Sequence, residues 1–193
     1  MTKNALVFLS DGCEETEAVT TIDLLTRANI HVTTASITED YSVNCSRGVI
    51  IRAQKTISQI NDQSFDVVIL PGGLKGAENF RASPQVIKKL KQTHLQGHIV
   101  AAICASPAMV LQYHNLFPHA YMTGYPSTKD AFKLWKNERA YYDECSKVIT
   151  SQGPATSIDF ALKIIAVICG DEKAKQVASE LILPDGIYNY SEK

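Results

Sequence analysis

The sequence predicts an α/β sandwich built around a mostly parallel β-sheet. Short apolar runs alternate along the chain with amphipathic segments of helical period, which is the pattern of strand–helix repeats. Residues 67–70 are apolar at four consecutive positions, as expected for a parallel strand covered on both faces. No internal repeat or linker-like stretch divides the chain. The 193 residues therefore suit one domain spanning residues 1–193.

The elements follow from periodicity, glycine and proline. Apolar runs predict strands over residues 6–9, 31–36, 66–70, 99–103 and 148–150, with a strand pair around Gly48 over residues 45–51. Helical spacing predicts helices over residues 14–28, 84–94, 107–112, 156–169 and 171–180. Residues 117–147 have no clear pattern. Lys88, Lys89 and Lys91 are expected to form the solvated face of their helix.

Composition and charge exclude several classes of function. The net charge is −1, which argues against a specific nucleic-acid binder or a protein of anionic membrane surfaces. The apolar run at residues 5–9 is too short for a signal peptide or a membrane span. The cysteine count is odd and no C-x-x-C occurs, which predicts reduced thiols in a cytoplasmic protein. The five cysteines are Cys13, Cys45, Cys104, Cys145 and Cys169.

A metal site is not expected. His94 and His98 have the spacing of two ligands on one helical face, but Gly97 interrupts the helix between them.

The segment 99–107 resembles a nucleophile elbow in its physical context. A buried strand ends at Cys104, small residues follow, and Pro107 opens a helix. Such a turn presents the side chain at the carboxyl edge of the sheet, and nearby N–H groups favour thiolate over thiol. We therefore expect Cys104 to have a pKa well below that of a free thiol. A buried cysteine that only fills space is an equally good local interpretation.

A glycine-rich loop follows the strand at residues 66–70. Gly72 and Gly73 let the backbone approach a ligand closely, and an N–H there could pair with that of Ala105 to bind an oxyanion. Taken alone, the loop is better explained as a tight turn.

Acidic residues begin the first predicted helix. The helix macrodipole accounts for Glu14 and Glu15. It accounts less well for Glu17, which lies on the face of Cys13 and close to apolar positions. A carboxyl group that points inward has a raised pKa and could share a proton with a neighbouring thiolate. From the residues alone, Arg27 and Arg47 are solvated surface charges.

Taken together, these motifs resemble the ThiJ/PfpI superfamily and, within it, the parkinsonism-associated deglycase branch. The motifs lie at residues 5–9, 12–17, 45–49, 66–73, 101–105 and 150–154. Residues 14–25 and the tail at residues 186–190 are most similar to the bacterial YajL-like subgroup.

The resemblance implies a flavodoxin-like three-layer fold of the class I glutamine amidotransferase type, a homodimer and no cofactor. It implies that Cys104 is the reactive nucleophile and that Glu17 hydrogen-bonds it as a protonated carboxyl. Gly73 and Ala105 would supply oxyanion-binding N–H groups. Arg27 and Arg47 would lie near the dimer interface, close to the site.

Four positions depart from the family pattern, and one of them is Ser106, which replaces a small residue that is often glycine. Tyr125 stands where the parkinsonism-associated members have a histidine close to the cysteine, so a Cys–His pair is not expected. Ala105 stands where the related peptidases have a histidine, which removes their general base. Cys13 replaces alanine or serine and adds a thiol near the site.

The resemblance leaves three functions open. The first is a cysteine-dependent glyoxalase or deglycase acting on methylglyoxal, glyoxal and their early adducts on proteins and nucleotides. The second is an oxidative-stress sensor and chaperone for misfolded client proteins, with Cys104 oxidation as the signal. The third is a cysteine peptidase, disfavoured by Ala105. The sequence does not separate the first two, because both use the same residues.

Overall fold

A seven-stranded β-sheet forms the centre of the structure, a computed structural model that describes residues 2–184. The sheet strands are β1 (Asn4–Leu9), β2 (His31–Ser36), β5 (Lys55–Thr56), β6 (Val67–Leu70), β7 (Ile99–Ile103), β8 (Ala140–Asp143) and β9 (Val148–Ser151), and a separate antiparallel hairpin comprises β3 (Ser42–Asn44) and β4 (Ile50–Arg52). The order across the sheet is β5-β2-β1-β6-β7-β9-β8. Every pairing is parallel except that of β8 with β9. The mostly parallel sheet predicted from the sequence is confirmed.

Two groups of helices cover the sheet. The α-helices are α1 (Glu15–Arg27), α2 (Leu74–Ala82), α3 (Pro84–Leu95), α4 (Ser157–Cys169) and α5 (Asp171–Glu180). Helix α4 packs against α1 and α5, whereas α2 and α3 pack against each other. All four residues of β6 are buried, so this central strand is covered on both faces. The result is the three-layer, flavodoxin-like sandwich that the resemblance implied.

Three regions differ from the sequence-based expectations. Helix α2 was not predicted; it begins directly after Gly73, where a glycine-rich turn was expected. The helix at Pro107–Gln112 is a π-helix, in which the N–H of Tyr113 donates to the carbonyl of Ala108 over 3.2 Å. The uninterpreted region 117–147 contains a 3₁₀-helix at Pro126–Ala131 and strand β8. The tail at residues 186–190 lies outside the described residues.

The topology brings three loops to one edge of the sheet. Strands β1, β6 and β7 are neighbours and run parallel, so their carboxyl ends lie side by side. The loops that follow them contain residues 10–14, 71–73 and 104–106. Such an edge is where open α/β sheets bind ligands.

Within the described part of the chain, no helix has both the length and the apolar character needed to cross a membrane.

Lys89 contradicts the expectation that all lysines of α3 face solvent. Its side chain is buried, and its ammonium group donates to the carbonyl oxygens of Ile60, Asn61 and Gln63 at 3.0, 2.7 and 3.0 Å. Burial lowers the pKa of Lys89. The ammonium group thus holds the loop that precedes β6 against α3, whereas Lys88 is exposed as predicted.

We predict that Lys89→Met lowers the free energy of unfolding by about 1–3 kcal/mol, because three buried or half-buried carbonyls lose their charged donor. Urea denaturation measures the change, with Lys88→Met as the matched control. Equal midpoints for the two variants would contradict the assigned role.

Candidate functional site

Cys104 occupies a strained turn at the carboxyl end of β7. Its φ of +63° lies in the left-handed region, which a non-glycine residue adopts only when the surroundings impose it. The surroundings do so here, since the Cys104 N–H donates to the Ser151 carbonyl at 3.0 Å and the Cys104 carbonyl accepts from Tyr125 N–H at 2.8 Å. The turn lifts the largely buried thiol above the sheet edge, as an elbow requires.

Two backbone amides point at the Cys104 sulfur. The N–H groups of Gly73 and Ala105 hydrogen-bond it and lower the pKa of the thiol. Gly73 has a φ of +81°, and a side chain there would collide with the Gly12 carbonyl, so the loop needs glycine at this position. The two residues proposed as amide donors therefore do meet at the cysteine.

Gly72 has a different role from the one expected. Its N–H does not point at a substrate position but donates to Glu17 Oε2 at 2.6 Å. A Cβ at Gly72 would lie 2.5 Å from Cys104 Cβ and 2.8 Å from Glu17 Oε2. The assignment of Gly72 to oxyanion or substrate binding is therefore wrong, because its amide is committed to Glu17. Gly72 instead provides the space in which Cys104 and Glu17 meet.

Glu17 is fully buried in the first turn of α1. Its carboxyl lies beside Cys104, and each group shifts the pKa of the other. Among residues 2–184, its second oxygen, Oε1, has no hydrogen-bond partner. A carboxyl with one oxygen anchored by an amide and the other unanchored is suited to holding a proton between itself and the thiol.

The two acidic groups are coupled. Burial raises the pKa of Glu17 to about 7, against the lowering effect of the Gly72 N–H and the Cys104 thiol. Burial, and then the charge of Glu17, raise the pKa of Cys104 to about 12 although two amides lower it. The pair therefore retains one proton above about pH 7 and titrates as a unit. A thiolate forms in the state in which Glu17 carries that proton.

The expectation that Cys104 has a strongly lowered pKa is thus wrong for the state with ionised Glu17. The sequence argument counted the helix start and the loop amides. It did not count burial, which removes water from the thiolate and outweighs the amide hydrogen bonds.

An open cleft of about 860 Å³ leads to Cys104. Arg47, Lys75 and Tyr125 lie along its wall, and Met109 adds apolar surface. The Tyr125 ring is half-exposed and packs over Gly153. The cleft is larger than a three-carbon aldehyde needs, so larger groups can also reach the thiol.

The sequence argument missed a specific role for Glu15. Its carboxylate accepts hydrogen bonds from Ser46 Oγ at 2.9 Å and from the Arg47 N–H at 2.8 Å. Burial raises the pKa of Glu15, but its own backbone N–H and these two donors lower the pKa overall. Glu15 thereby fixes the hairpin turn that places Arg47 at the cleft. No sequence signal distinguished it from an ordinary acidic helix start.

Cys13 and Arg27 lie outside the cleft. Cys13 is fully buried, with its Sγ 3.7 Å from that of Cys45, which does line the cleft. Arg27 is at the opposite end of α1 from Glu17, where it pairs with Asp23 at 2.8 Å and Glu180 at 3.8 Å. The structure therefore brings together Cys104, Glu17, Gly73, Ala105, Arg47 and Tyr125, but not Arg27.

We predict a specific dependence of stability on pH. Folded Glu17 has a pKa of about 7 instead of 4.5, so the stability that its raised pKa provides is present below pH 4.5 and is lost as the pH rises through 7. Wild type should lose up to about 3 kcal/mol relative to Glu17→Gln between pH 4 and pH 8.

Urea denaturation across this range measures that difference, with the exposed Glu172 changed to Gln as the control. Parallel stability curves for wild type and Glu17→Gln would show that Glu17 ionises normally in the folded protein.

Comparisons with known proteins identify relatives over nearly the whole chain. The chain is 40% identical over 187 residues to the Parkinson disease protein 7 homolog of Danio rerio, covering 95% of this chain and 98% of that protein. It is 31% identical over 186 residues to the glutathione-independent glyoxalase DJR-1.2 of Caenorhabditis elegans, covering 94% and 97%.

A solved structure agrees with the fold. Oxidized DJ-1 of Toxoplasma gondii superposes with a TM-score of 0.90 at 40% identity, covering 93% of this chain and 98% of that one. The match to the DJ-1/PfpI family spans residues 3–167, from β1 to the second half of α4. The chain therefore belongs to the DJ-1/PfpI family.

Proposed function

We propose that this protein is a cofactor-independent glyoxalase that converts methylglyoxal and glyoxal into 2-hydroxy acids. The observation that carries the proposal is the buried Cys104–Glu17 pair, which holds one proton between a nucleophile and a base at the end of an open cleft. The relative named glutathione-independent glyoxalase supports the same reaction class. Fold alone would not, since one fold hosts many activities.

The first step is addition of the Cys104 thiolate to the aldehyde carbon. A carbon–sulfur bond forms, the π electrons of the carbonyl move to its oxygen, and that oxygen takes the proton held by Glu17. The product is a hemithioacetal and an ionised Glu17. The amides of Gly73 and Ala105 stabilise the negative charge while it passes from sulfur to oxygen.

The second step is an isomerisation. The Glu17 carboxylate removes the proton from the former aldehyde carbon, and an enediolate forms as the hydroxyl proton passes to the neighbouring oxygen. Glu17 then returns its proton to the second carbon, which gives a 2-hydroxy thioester. Water cleaves this thioester and the acid leaves as a carboxylate. One of the two protons brought by the water returns to the Cys104–Glu17 pair, and the other is released to solvent.

Early glyoxal adducts on proteins and nucleotides are proposed as further substrates. The openness and volume of the cleft support this extension, because a modified side chain could present its carbonyl carbon to Cys104 from the protein surface.

A second candidate is a redox sensor in which peroxide oxidises Cys104. The thiolate attacks one peroxide oxygen, the O–O bond breaks, and the sulfenic acid forms with release of water or an alcohol. Donors at Gly73 and Ala105 could hold the oxidised sulfur, and a relative solved as an oxidized protein supports this role. Chaperone action on misfolded clients would be a further consequence of that oxidation.

The peptidase alternative is not proposed. Among the described residues, the side chains that line the cleft include no histidine that could act as the general base.

We further propose that the protein is a homodimer. Val19, Val49 and Ile50 are about half or more exposed, and Ile50 is 66% exposed. Val19 is one helical turn after Glu15, whose carboxylate binds the hairpin turn that precedes Val49. An apolar surface formed by one helix and a hairpin is suited to a two-fold contact with a second copy.

For the dimer, we predict that Ile50→Lys dissociates the protein, because it places a charge in an apolar contact. Light scattering at micromolar concentration should give the mass of two chains for wild type and of one chain for the variant. Leu95→Lys, which changes an exposed leucine on α3, is the control and should remain dimeric. A monomeric wild type would exclude the proposal.

For the reaction, we predict that Glu17→Gln separates the two candidate functions. Glutamine keeps a hydrogen-bond donor beside Cys104 but cannot transfer a proton, so lactate formation from methylglyoxal should fall by about 10²–10⁴-fold. Peroxide oxidation of Cys104 should remain within about tenfold of wild type, since no proton needs to leave carbon in that reaction.

Two further variants complete the experiment. Cys104→Ser should abolish both reactions, and Cys145→Ser, which changes an exposed thiol, should alter neither. Wild-type lactate formation by Glu17→Gln would remove Glu17 from the mechanism, and no lactate from wild-type protein would leave the sensor role as the better explanation.

A further inference from the structure

One peptide group next to the active pair is hydrogen-bonded at both ends by buried side chains. The carbonyl of Pro71 accepts from Ser106 Oγ at 2.5 Å. The N–H of the same peptide, contributed by Gly72, donates to Glu17 Oε2 at 2.6 Å. Ser106 and Glu17 are both 0% exposed. The peptide therefore connects a hydroxyl on one loop to the proposed base on a helix.

The Ser106 side chain does not make the helix-capping hydrogen bond that its position in the chain predicts. Ser106 is the N-cap of the π-helix that starts at Pro107, a position where serine ordinarily accepts a hydrogen bond from the following turn. It makes no such cap here. Its hydroxyl instead donates across to the glycine loop, where the carbonyl can only accept.

The backbone gives no other reason for serine at this position. Ser106 has φ −64° and ψ −36°, which alanine adopts equally well. The contribution of the hydroxyl is therefore its hydrogen bond to Pro71.

Hydrogen bonds in a chain polarise one another. A donor on the Pro71 carbonyl draws electron density from the peptide and makes the Gly72 N–H a stronger donor, and the effect is largest where water is excluded. A stronger donor stabilises ionised Glu17 more than protonated Glu17. The hydroxyl also fixes the plane of the peptide, and with it the direction of the N–H.

We propose that Ser106 is a positioning residue that acts through the Pro71–Gly72 peptide, orienting the Gly72 amide towards Glu17 and setting how the shared proton divides between Glu17 and Cys104. The proposal deepens the role of Glu17 in the proposed function, but it does not depend on which substrate the protein takes.

Other groups near Glu17 do not change with Ser106. Glu14, at the start of the same helix, accepts the Glu17 backbone N–H at 2.7 Å and raises the pKa of Glu17 through its charge. Cys104 is the other ionisable group that acts on it, from the elbow. Neither of these is part of the bond between Ser106 and Pro71.

Removing the Ser106 hydroxyl should increase the reactivity of Cys104. A general loosening of the loop does not predict an increase. In Ser106→Ala the Gly72 amide is a weaker donor, so Glu17 holds the proton more tightly and Cys104 is a thiolate for more of the time. At pH 8–9, where Glu17 is mostly ionised in wild type, alkylation of Cys104 by iodoacetamide should become about two- to fivefold faster. Proton abstraction by Glu17 should require higher pH, so the acidic limb of lactate formation moves upward.

The deciding experiment is a double-mutant cycle read by alkylation. Rates at the Cys104 peptide are followed by mass spectrometry from pH 5 to pH 9 in wild type, Ser106→Ala, Glu17→Gln and the double variant. We expect Ser106→Ala to accelerate alkylation in the wild-type background and to have no effect with glutamine at position 17, because no proton is then shared.

Ser10→Ala is the matched control. Ser10 is also buried and its hydroxyl also donates to a loop carbonyl, but that carbonyl belongs to Gly76, at 3.2 Å, and not to the Pro71–Gly72 peptide. Ser10→Ala should leave the alkylation profile of Cys104 unchanged. Ser106→Thr keeps the hydroxyl, so its alkylation profile should be closer to that of wild type than the profile of Ser106→Ala is.

Two results would overturn the inference. One is an unchanged profile in Ser106→Ala, and the other is equal acceleration in both backgrounds, which would mean that the effect does not pass through Glu17. Because alkylation needs no turnover, a protein without glyoxalase activity could still give the expected cycle, so the two proposals fail separately.

Discussion

The burial of the Glu17 carboxyl beside Cys104 is the constraint on which the site depends. An acidic group without water is unfavourable as an anion unless nearby donors replace the lost hydration. Here the main donor is the Gly72 amide, and it is available only because the chain turns without a side chain at that position. The glycine loop, the elbow and the first turn of α1 are thus arranged around one carboxyl group.

The parallel sheet makes this arrangement possible. The elbow, the glycine loop and the start of α1 follow β7, β6 and β1, which are neighbours with their carboxyl ends at the same edge. Each strand is short and fully or almost fully buried, so its end position is set by the core. Rigid strand ends then hold Cys104 in a conformation that an isolated loop would not keep.

Much of the fold could be predicted from the sequence, because apolar runs and helical spacing report burial directly. Strands β1, β2, β6, β7 and β9 and the later helices were placed to within a few residues on this basis, whereas the edge strands β5 and β8 were not predicted. The elbow at Cys104 followed from a strand that ends in small residues. Helix α2 was missed because Gly72, Gly73 and Gly76 suggested a turn, while in the structure Gly76 packs closely against Cys13.

The details of the site were less accessible, since they depend on contacts between distant parts of the chain. Glu17 and Cys104 are 87 positions apart, and nothing near either residue reveals that burial outweighs the amide donors at the thiol. Lys89 and Glu15 have ordinary surface positions by pattern, yet one binds three carbonyls and the other holds a hairpin turn. The spacing of apolar residues shows which face of a helix or strand a residue occupies. Its hydrogen-bond partner depends on contacts between segments that are distant in the sequence.

The Gly72 amide also gives the protein an internal reporter. Its hydrogen is held by a fully buried acceptor, so it can exchange with deuterated solvent only when the glycine loop and α1 separate. That separation is the same event that disassembles the active pair. The exchange rate of this single hydrogen therefore reports how readily the site opens, and any ligand that bridges the loops would slow it without needing to react.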